Sequence, residues 1–100
     1  MDKAQLEASG WKVGDASEFL ALTPEETAYV ELRLALSRSV RELRLNQRLT
    51  QNEVARLLGS SQSRLAKMES GDTSVSLDLL IRSIIALGAS RTDLARMIAA

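Results

Sequence analysis

Apolar positions along residues 23–99 recur with the spacing of an α-helix rather than the alternation of a β-strand. The first helical segment starts at Thr23, which precedes Pro24 and stands three residues before Glu26, a capping pattern typical of a helix start. Its apolar positions share one helical face: Leu32, Leu36, Val40 and Leu43. The pattern predicts a first helix that runs to about Asn46.

Four shorter helices are predicted after the first one. Polar capping residues mark their starts: Thr50 with Glu53, Ser61, Ser74 or Ser76, and Ser90 with Asp93. Glycines mark three of their ends: Gly59, Gly71 and Gly88. Since no strand pattern or repeat is visible, the sequence predicts an all-α fold of five helices.

The N-terminal residues differ from the rest of the chain. Residues 1–22 contain Trp11 and Phe19 but show no sustained helical period. We therefore expect an N-terminal arm over residues 1–22 and one helical domain over residues 23–100.

Composition narrows the classes of function. The 100-residue chain is 45% apolar and contains no cysteine and no histidine, so the commonest catalytic bases and transition-metal ligands are missing. We expect a protein that is not an enzyme and that holds no metal or cofactor. No apolar run of about 18 residues and no signal-peptide core are visible, which predicts a cytoplasmic protein without a membrane span.

The formal net charge of zero conceals a basic middle segment. Residues 1–30 carry a net charge of −4, residues 31–70 a net charge of +4, and residues 71–100 are balanced. A basic middle segment suits a surface that faces DNA phosphates, but it also suits an ordinary solvated helix face. The charge distribution alone does not distinguish a DNA-facing surface from a solvated helix face.

Residues 50–71 predict two helices joined by a short turn, with Ala55 and Gly59 small enough for close helix packing. Leu65 and Met68 would bury one side of the second of these helices. The other side would present polar or small residues: Gln62, Ser63, Arg64, Ala66, Lys67 and Ser70. Glutamine can pair with adenine, and arginine or lysine with guanine, in the DNA major groove. The pattern predicts a helix-turn-helix, against the alternative of a plain helical bundle with a solvated face.

The same residues resemble the xenobiotic response element (XRE) family of helix-turn-helix proteins, which includes Cro and the lambdoid phage repressors. The resemblance covers residues 40–87 and is strongest in L-T-Q-x-x-V-A-x-x-L-G, residues 49–59, and S-Q-S-x-L-x-K-M-E-x-G, residues 61–71. It implies a lambda-repressor-like DNA-binding domain. Ser60 departs from the pattern, because the family usually has an apolar residue there.

The resemblance also implies roles for individual residues. Gln51 would contact a DNA phosphate and hydrogen-bond to Gln62, and an ion pair between Arg44 and Glu69 would connect the recognition helix to the first helix. The predicted DNA-binding set is Gln51, Ser61, Gln62, Ser63, Arg64, Lys67, Thr73 and Ser74. For Arg44, we expect a structural role to outweigh direct contact with DNA.

Two functions remain open at the level of the whole protein. An excess of apolar residues in the fourth and fifth helices predicts a homodimer on a pseudo-palindromic operator in double-stranded DNA. The chain, including G-W-K-V-G-D-A-S-E-F-L over residues 10–20, also resembles small HigA-like antitoxins. That resemblance implies a partner toxin of the RelE/HigB type, which Trp11 and Phe19 would contact. The alternative is a stand-alone transcriptional repressor without a toxin partner.

Overall fold

The computed structural model of the protein describes residues 21–99. Five α-helices follow one another in this part of the chain: α1 (Pro24–Asn46), α2 (Gln51–Leu57), α3 (Gln62–Ser70), α4 (Leu77–Ala86) and α5 (Arg91–Ala99). No strand occurs within residues 21–99. The predicted all-α fold of five helices is therefore confirmed.

The chain divides into two units, Met1–Leu32 and Arg33–Ala100. The packing described below is that of the second unit. The expected boundary at residue 22, between an arm and a DNA-binding domain, stays a prediction.

The helix starts follow local capping chemistry. Thr50 Oγ1 accepts a hydrogen bond from Glu53 N at 3.1 Å, while Glu53 Oε1 accepts from Thr50 N at 2.7 Å. Ser90 and Asp93 make the same reciprocal pair at the start of α5. Of the two serines predicted for α4, it is Ser76 that caps, since its Oγ accepts from Leu79 N at 3.0 Å. These bonds satisfy amide groups that have no partner within the first helical turn.

Helices α1 and α2 end at a residue in the left-handed conformation. The amide of the next residue then donates a hydrogen bond to a carbonyl oxygen of the last helical turn. At the end of α2, Gly59 has a φ of 65° and the next amide, Ser60 N, donates to Ala55 O at 2.8 Å. The same arrangement ends α1, but the left-handed residue there is Arg48, with a φ of 59°. A non-glycine residue in this conformation costs about 1–2 kcal/mol. No glycine marks this end in the sequence, so the turn type was not predictable.

The core lies where α1, α2, α3 and α4 meet. Seven large side chains have no exposed surface: Leu36, Val40, Val54, Leu65, Met68, Leu80 and Ile84. They come from all four of these helices. Each such side chain contributes about 1.5–3 kcal/mol through burial, so the short α2 and α3 depend on this shared core for their stability.

The last helix contributes little to the core. In α5 no residue is fully buried, and Met97 is only half-buried. As the last helix of the described chain, α5 packs on α4 along one side. Ile98 of α5 and Ile85 of α4 are about half exposed, at 47% and 50%.

No helix within residues 21–99 has the length and apolar character needed to cross a membrane. The same part of the chain contains no group of three histidine, cysteine, aspartate or glutamate residues placed to hold a metal ion.

Candidate nucleic-acid interface

Helix α3 presents a polar face to solvent because two apolar side chains fix its other face in the core. Leu65 and Met68 have no exposed surface. Four side chains of the predicted DNA-binding set are exposed on this helix: Gln62, Ser63, Arg64 and Lys67. Ala66, predicted to point outward, is half-buried. The exposed face therefore consists of hydrogen-bonding groups and two positive charges.

The turn between α2 and α3 holds two adjacent serines in opposite environments. Ser61 caps α3, and its Oγ accepts a hydrogen bond from Arg64 N at 3.2 Å. Ser60 Oγ is buried and has no hydrogen-bond partner among the described residues. A buried hydroxyl without a partner costs about 1–3 kcal/mol. The departure from the family pattern at Ser60 therefore has a structural cost.

Polar side chains connect α1 to the first residue of α3 through a chain of hydrogen bonds. Arg44 makes two bonds with Glu69, from Nε to Oε2 at 2.7 Å and from Nη2 to Oε1 at 3.0 Å. Glu69 Oε1 also accepts from Gln51 Nε2 at 3.0 Å. Gln51 Oε1 in turn accepts from Gln62 Nε2. The orientation of Gln62 is thus coupled to an ion pair that lies below the surface.

The ion pair is formed largely out of contact with water. The side chains of Arg44 and Glu69 are 12% and 5% exposed. Burial raises the pKa of the Glu69 carboxyl, but hydrogen bonds from Arg44 and Gln51 outweigh burial and hold its pKa below the ordinary value. The bond to Glu69 raises the pKa of Arg44. Both groups are therefore charged at neutral pH, and the bidentate geometry fixes α3 against α1.

The loop between α3 and α4 carries the exposed residues Thr73 and Ser74. Asp72 Oδ1 accepts a hydrogen bond from Ser74 N at 2.8 Å, and Val75 N donates to Asp72 O at 3.2 Å. Hydrogen bonds from Ser74 lower the pKa of the Asp72 carboxyl. These bonds make residues 72–75 a defined turn.

Arg33 of α1 also contacts this loop, and sequence reasoning missed it. Its Nη2 donates to Asp72 O at 3.1 Å and to Val75 O. The Asp-x-Ser sequence of residues 72–74 is a local signal for the turn. No local signal links Arg33 to a loop that follows about forty residues later.

The polar face of α3 and the start of α4 enclose an open cleft. Its polar lining comes from six residues: Ser61, Ser63, Arg64, Lys67, Ser74 and Ser76. The two positive charges therefore lie on the same cleft as the loop serine. A cleft with two cations and several hydroxyl groups suits a phosphate group better than an apolar ligand.

The structure brings most of the predicted site residues to one surface. Arg64, Lys67 and Ser74 line the same cleft, while Gln51 and Gln62 are hydrogen-bonded to each other. Thr73 is exposed beside Ser74, and no contact of its side chain with the cleft is observed among the described residues. Trp11 and Phe19, predicted to contact a toxin, lie outside the described residues.

Comparison with known families agrees with this geometry. The helix-turn-helix family matches residues 40–94, a segment that contains α2, α3 and α4 complete. The chain therefore belongs to the helix-turn-helix family, which confirms the resemblance to the XRE type. Comparisons with curated proteins and with solved structures gave no match.

Membership of this family establishes the general class of activity. The protein is a DNA-binding transcriptional regulator. The family is one of DNA-binding proteins and is generally not enzymatic.

Proposed function

We propose that the protein is a sequence-specific repressor that binds operator DNA with the exposed face of α3 in the major groove. The observation that carries this proposal is the orientation of α3, whose Leu65 and Met68 are fully buried while its polar face is exposed. The proposed contact set is the predicted one: Gln51, Ser61, Gln62, Ser63, Arg64, Lys67, Thr73 and Ser74.

Within this set, Gln62 is the residue we assign to base recognition. It is the first residue of α3, and the N-terminal residues of a recognition helix contact base edges. Its hydrogen bond with Gln51 restricts the orientation of its amide, which favours bidentate pairing with an adenine. Lys67, on the cleft shared with the loop, is assigned to a phosphate.

Selection of operator sequences from random DNA, followed by binding measurements on variants, tests these assignments. We expect Gln62→Ala to lose about 1–3 kcal/mol of discrimination at one defined base pair. We expect Lys67→Ala to weaken binding to all sequences equally and to reduce the salt slope by about one. Arg38→Ala is the matched control, since Arg38 is an exposed cation of α1 that lies outside the proposed contact set.

Two outcomes would contradict the proposal. If Gln62→Ala left base preference unchanged at every position, α3 would not be the base-reading element. If Arg38→Ala weakened binding as strongly as Lys67→Ala, the effect would be one of total charge and not of the α3 surface.

We also propose that the protein binds its operator as a homodimer through α4 and α5. The support is the exposure of Ile85 and Ile98 on two helices that pack on each other. A pair of α3 helices about 34 Å apart would match a pseudo-palindromic site. Since its proposed operator is double-stranded DNA, we propose that the protein acts in the cytoplasm.

An antitoxin role is a second candidate for the whole protein. It is favoured by the net charge of −4 over residues 1–30 and by Trp11 and Phe19 in that segment, which together would suit a basic toxin surface. Co-expression with the product of a neighbouring gene tests it. Capture of a small basic ribonuclease by the protein, lost in Trp11→Ala but retained in Gln62→Ala, would support the antitoxin role. Absence of a captured partner would favour a stand-alone repressor.

A further inference from the structure

The side chain of Arg33 forms the contact between α1 and the loop that follows α3. One guanidinium nitrogen, Nη2, donates to two main-chain carbonyl oxygens, Asp72 O and Val75 O. These carbonyls lie on either side of Thr73 and Ser74. Arg33 thus holds both ends of the turn that presents the two loop residues of the predicted DNA-binding set.

The loop also approaches α1 closely at its first residue. A Cβ atom added to Gly71 would lie 3.0 Å from Leu34 Cδ2, and Gly71 has a φ of 79°. Leu34 is the neighbour of Arg33 in α1. The close approach at residue 71 and the hydrogen bonds of Arg33 therefore fix the loop against the same turn of α1.

The loop position matters for the candidate interface because Ser74 lines the cleft that Arg64 and Lys67 also line. A shift of the loop would change the spacing between Ser74 and the two cations. Hydrogen bonds to DNA depend on distances within a few tenths of an ångström, so a displaced loop would bind the DNA backbone less well.

Arg33 lies outside the segment that defines the family. The helix-turn-helix family matches residues 40–94, which include the loop but not Arg33. The contact that holds the loop is thus a feature of this chain beyond the matched family pattern.

We propose that Arg33 is a positioning residue, which sets the affinity for DNA by fixing residues 72–75 in the conformation that contacts the DNA backbone. The proposal rests on the proposed function, in which the loop and α3 bind DNA together. Because Arg33 acts through main-chain atoms of the loop, it should change affinity without changing base preference.

Binding and hydrogen-exchange measurements on Arg33→Met test the proposal. We expect the affinity for operator DNA and the affinity for random DNA to fall by the same factor, about tenfold. This factor corresponds to the loss of one or two hydrogen bonds between the loop and the DNA backbone. The salt slope should stay unchanged, since a positioning residue releases no counterion. The amide of Val75, which donates to Asp72 O, should exchange faster with solvent.

Two further variants control for the loss of a positive charge and for a failure of Arg33→Met to fold. Arg38→Met removes the same charge from an exposed position of α1, and it should leave affinity and Val75 exchange unchanged. Arg33→Lys retains the charge but lacks the planar guanidinium, so it should restore affinity only in part. It also serves as the measured variant if Arg33→Met does not fold.

The outcomes separate this proposal from competing ones. A salt slope reduced by about one in Arg33→Met would mean that Arg33 contacts a phosphate directly, and would overturn the positioning role. Faster Val75 exchange with unchanged affinity would also overturn it. If the unaltered protein bound no DNA at all, the proposed function would fail, while exchange at Val75 would still report whether Arg33 holds the loop.

Discussion

Ser60 and Ser61 are adjacent in sequence but have opposite effects on the turn before the recognition helix. Ser61 Oγ accepts a hydrogen bond from the α3 backbone, whereas Ser60 Oγ is buried with no partner among the described residues. Ser60 is the third residue after the end of α2, a position where an apolar side chain commonly packs against the last helical turn. One hydroxyl therefore stabilises the turn and the other destabilises it.

The same substitution at these two positions should change stability in opposite directions. We expect Ser60→Ala to increase the free energy of unfolding by about 1 kcal/mol, because a buried hydroxyl without a partner is removed. We expect Ser61→Ala to decrease it by about 1 kcal/mol, because the cap of α3 is lost. Urea denaturation of both variants measures the difference. A loss of stability in Ser60→Ala would show that its hydroxyl has a partner in solution.

At the scale of the helices, the Arg44–Glu69 pair fixes α3 to α1. Both side chains are nearly inaccessible to water, so removal of one partner leaves the other charge buried without compensation. Such a loss costs about 3–5 kcal/mol, whereas replacement of both partners by apolar residues is often neutral. The pair is therefore better understood as a fixed connection between two helices than as a large net source of stability.

Acid should weaken this connection. Since the pKa of Glu69 is below its ordinary value of 4.5, the carboxyl holds fewer protons in the folded than in the unfolded state at mildly acidic pH. Its contribution to stability is present above pH 4.5 and is lost as the pH falls from there through the lower folded-state pKa. We expect Glu69→Gln to be less stable than the unaltered protein at pH 7, with the gap narrowing below pH 4.5. Thermal unfolding across this range measures it.

The double variant Arg44→Met/Glu69→Leu provides the control. It should be more stable at neutral pH than Arg44→Met alone, because no charge remains buried without a partner. The difference in stability between Glu69→Gln and the unaltered protein should change with pH. A constant difference would contradict the structural role assigned to the ion pair. Loss of DNA binding in Arg44→Met with an unchanged free energy of unfolding would also contradict that structural role.

A structural element was predictable from the sequence when the residues whose interaction determines it lie close together in the chain. The starts of α2 and α5 were predictable because each capping box lies within four residues, as in Thr50 and Glu53. The end of α1 in a left-handed Arg48 was not, since arginine carries no signal for that conformation. The contact of Arg33 with residues 72 and 75 was missed because it depends on the three-dimensional packing of α1.

At the scale of the whole molecule, one recognition helix is a small DNA-binding surface. A single helix in the major groove contacts only a few base pairs, and specific operator binding commonly requires two copies of the helix in successive major grooves. Helices α4 and α5 are the candidates for the contact between copies, since each exposes about half of an isoleucine side chain. Among residues 21–99, the most exposed large apolar residue is Leu57, which is 68% exposed but lies on α2.

A charge placed on α5 should therefore separate the copies, while the same charge on α2 should not. We expect sedimentation equilibrium to give a dimer for the unaltered protein and a monomer for Ile98→Lys, because the lysine would bury an unpaired charge at the interface. Leu57→Lys is the control and should remain a dimer, although it alters a more exposed side chain. On DNA, half-sites about 34 Å apart should bind the dimer cooperatively, and insertion of about five base pairs should abolish that cooperativity by turning one half-site to the opposite side of the duplex. A monomer at micromolar concentration, or cooperativity that survives in Ile98→Lys, would exclude α5 as the contact between copies.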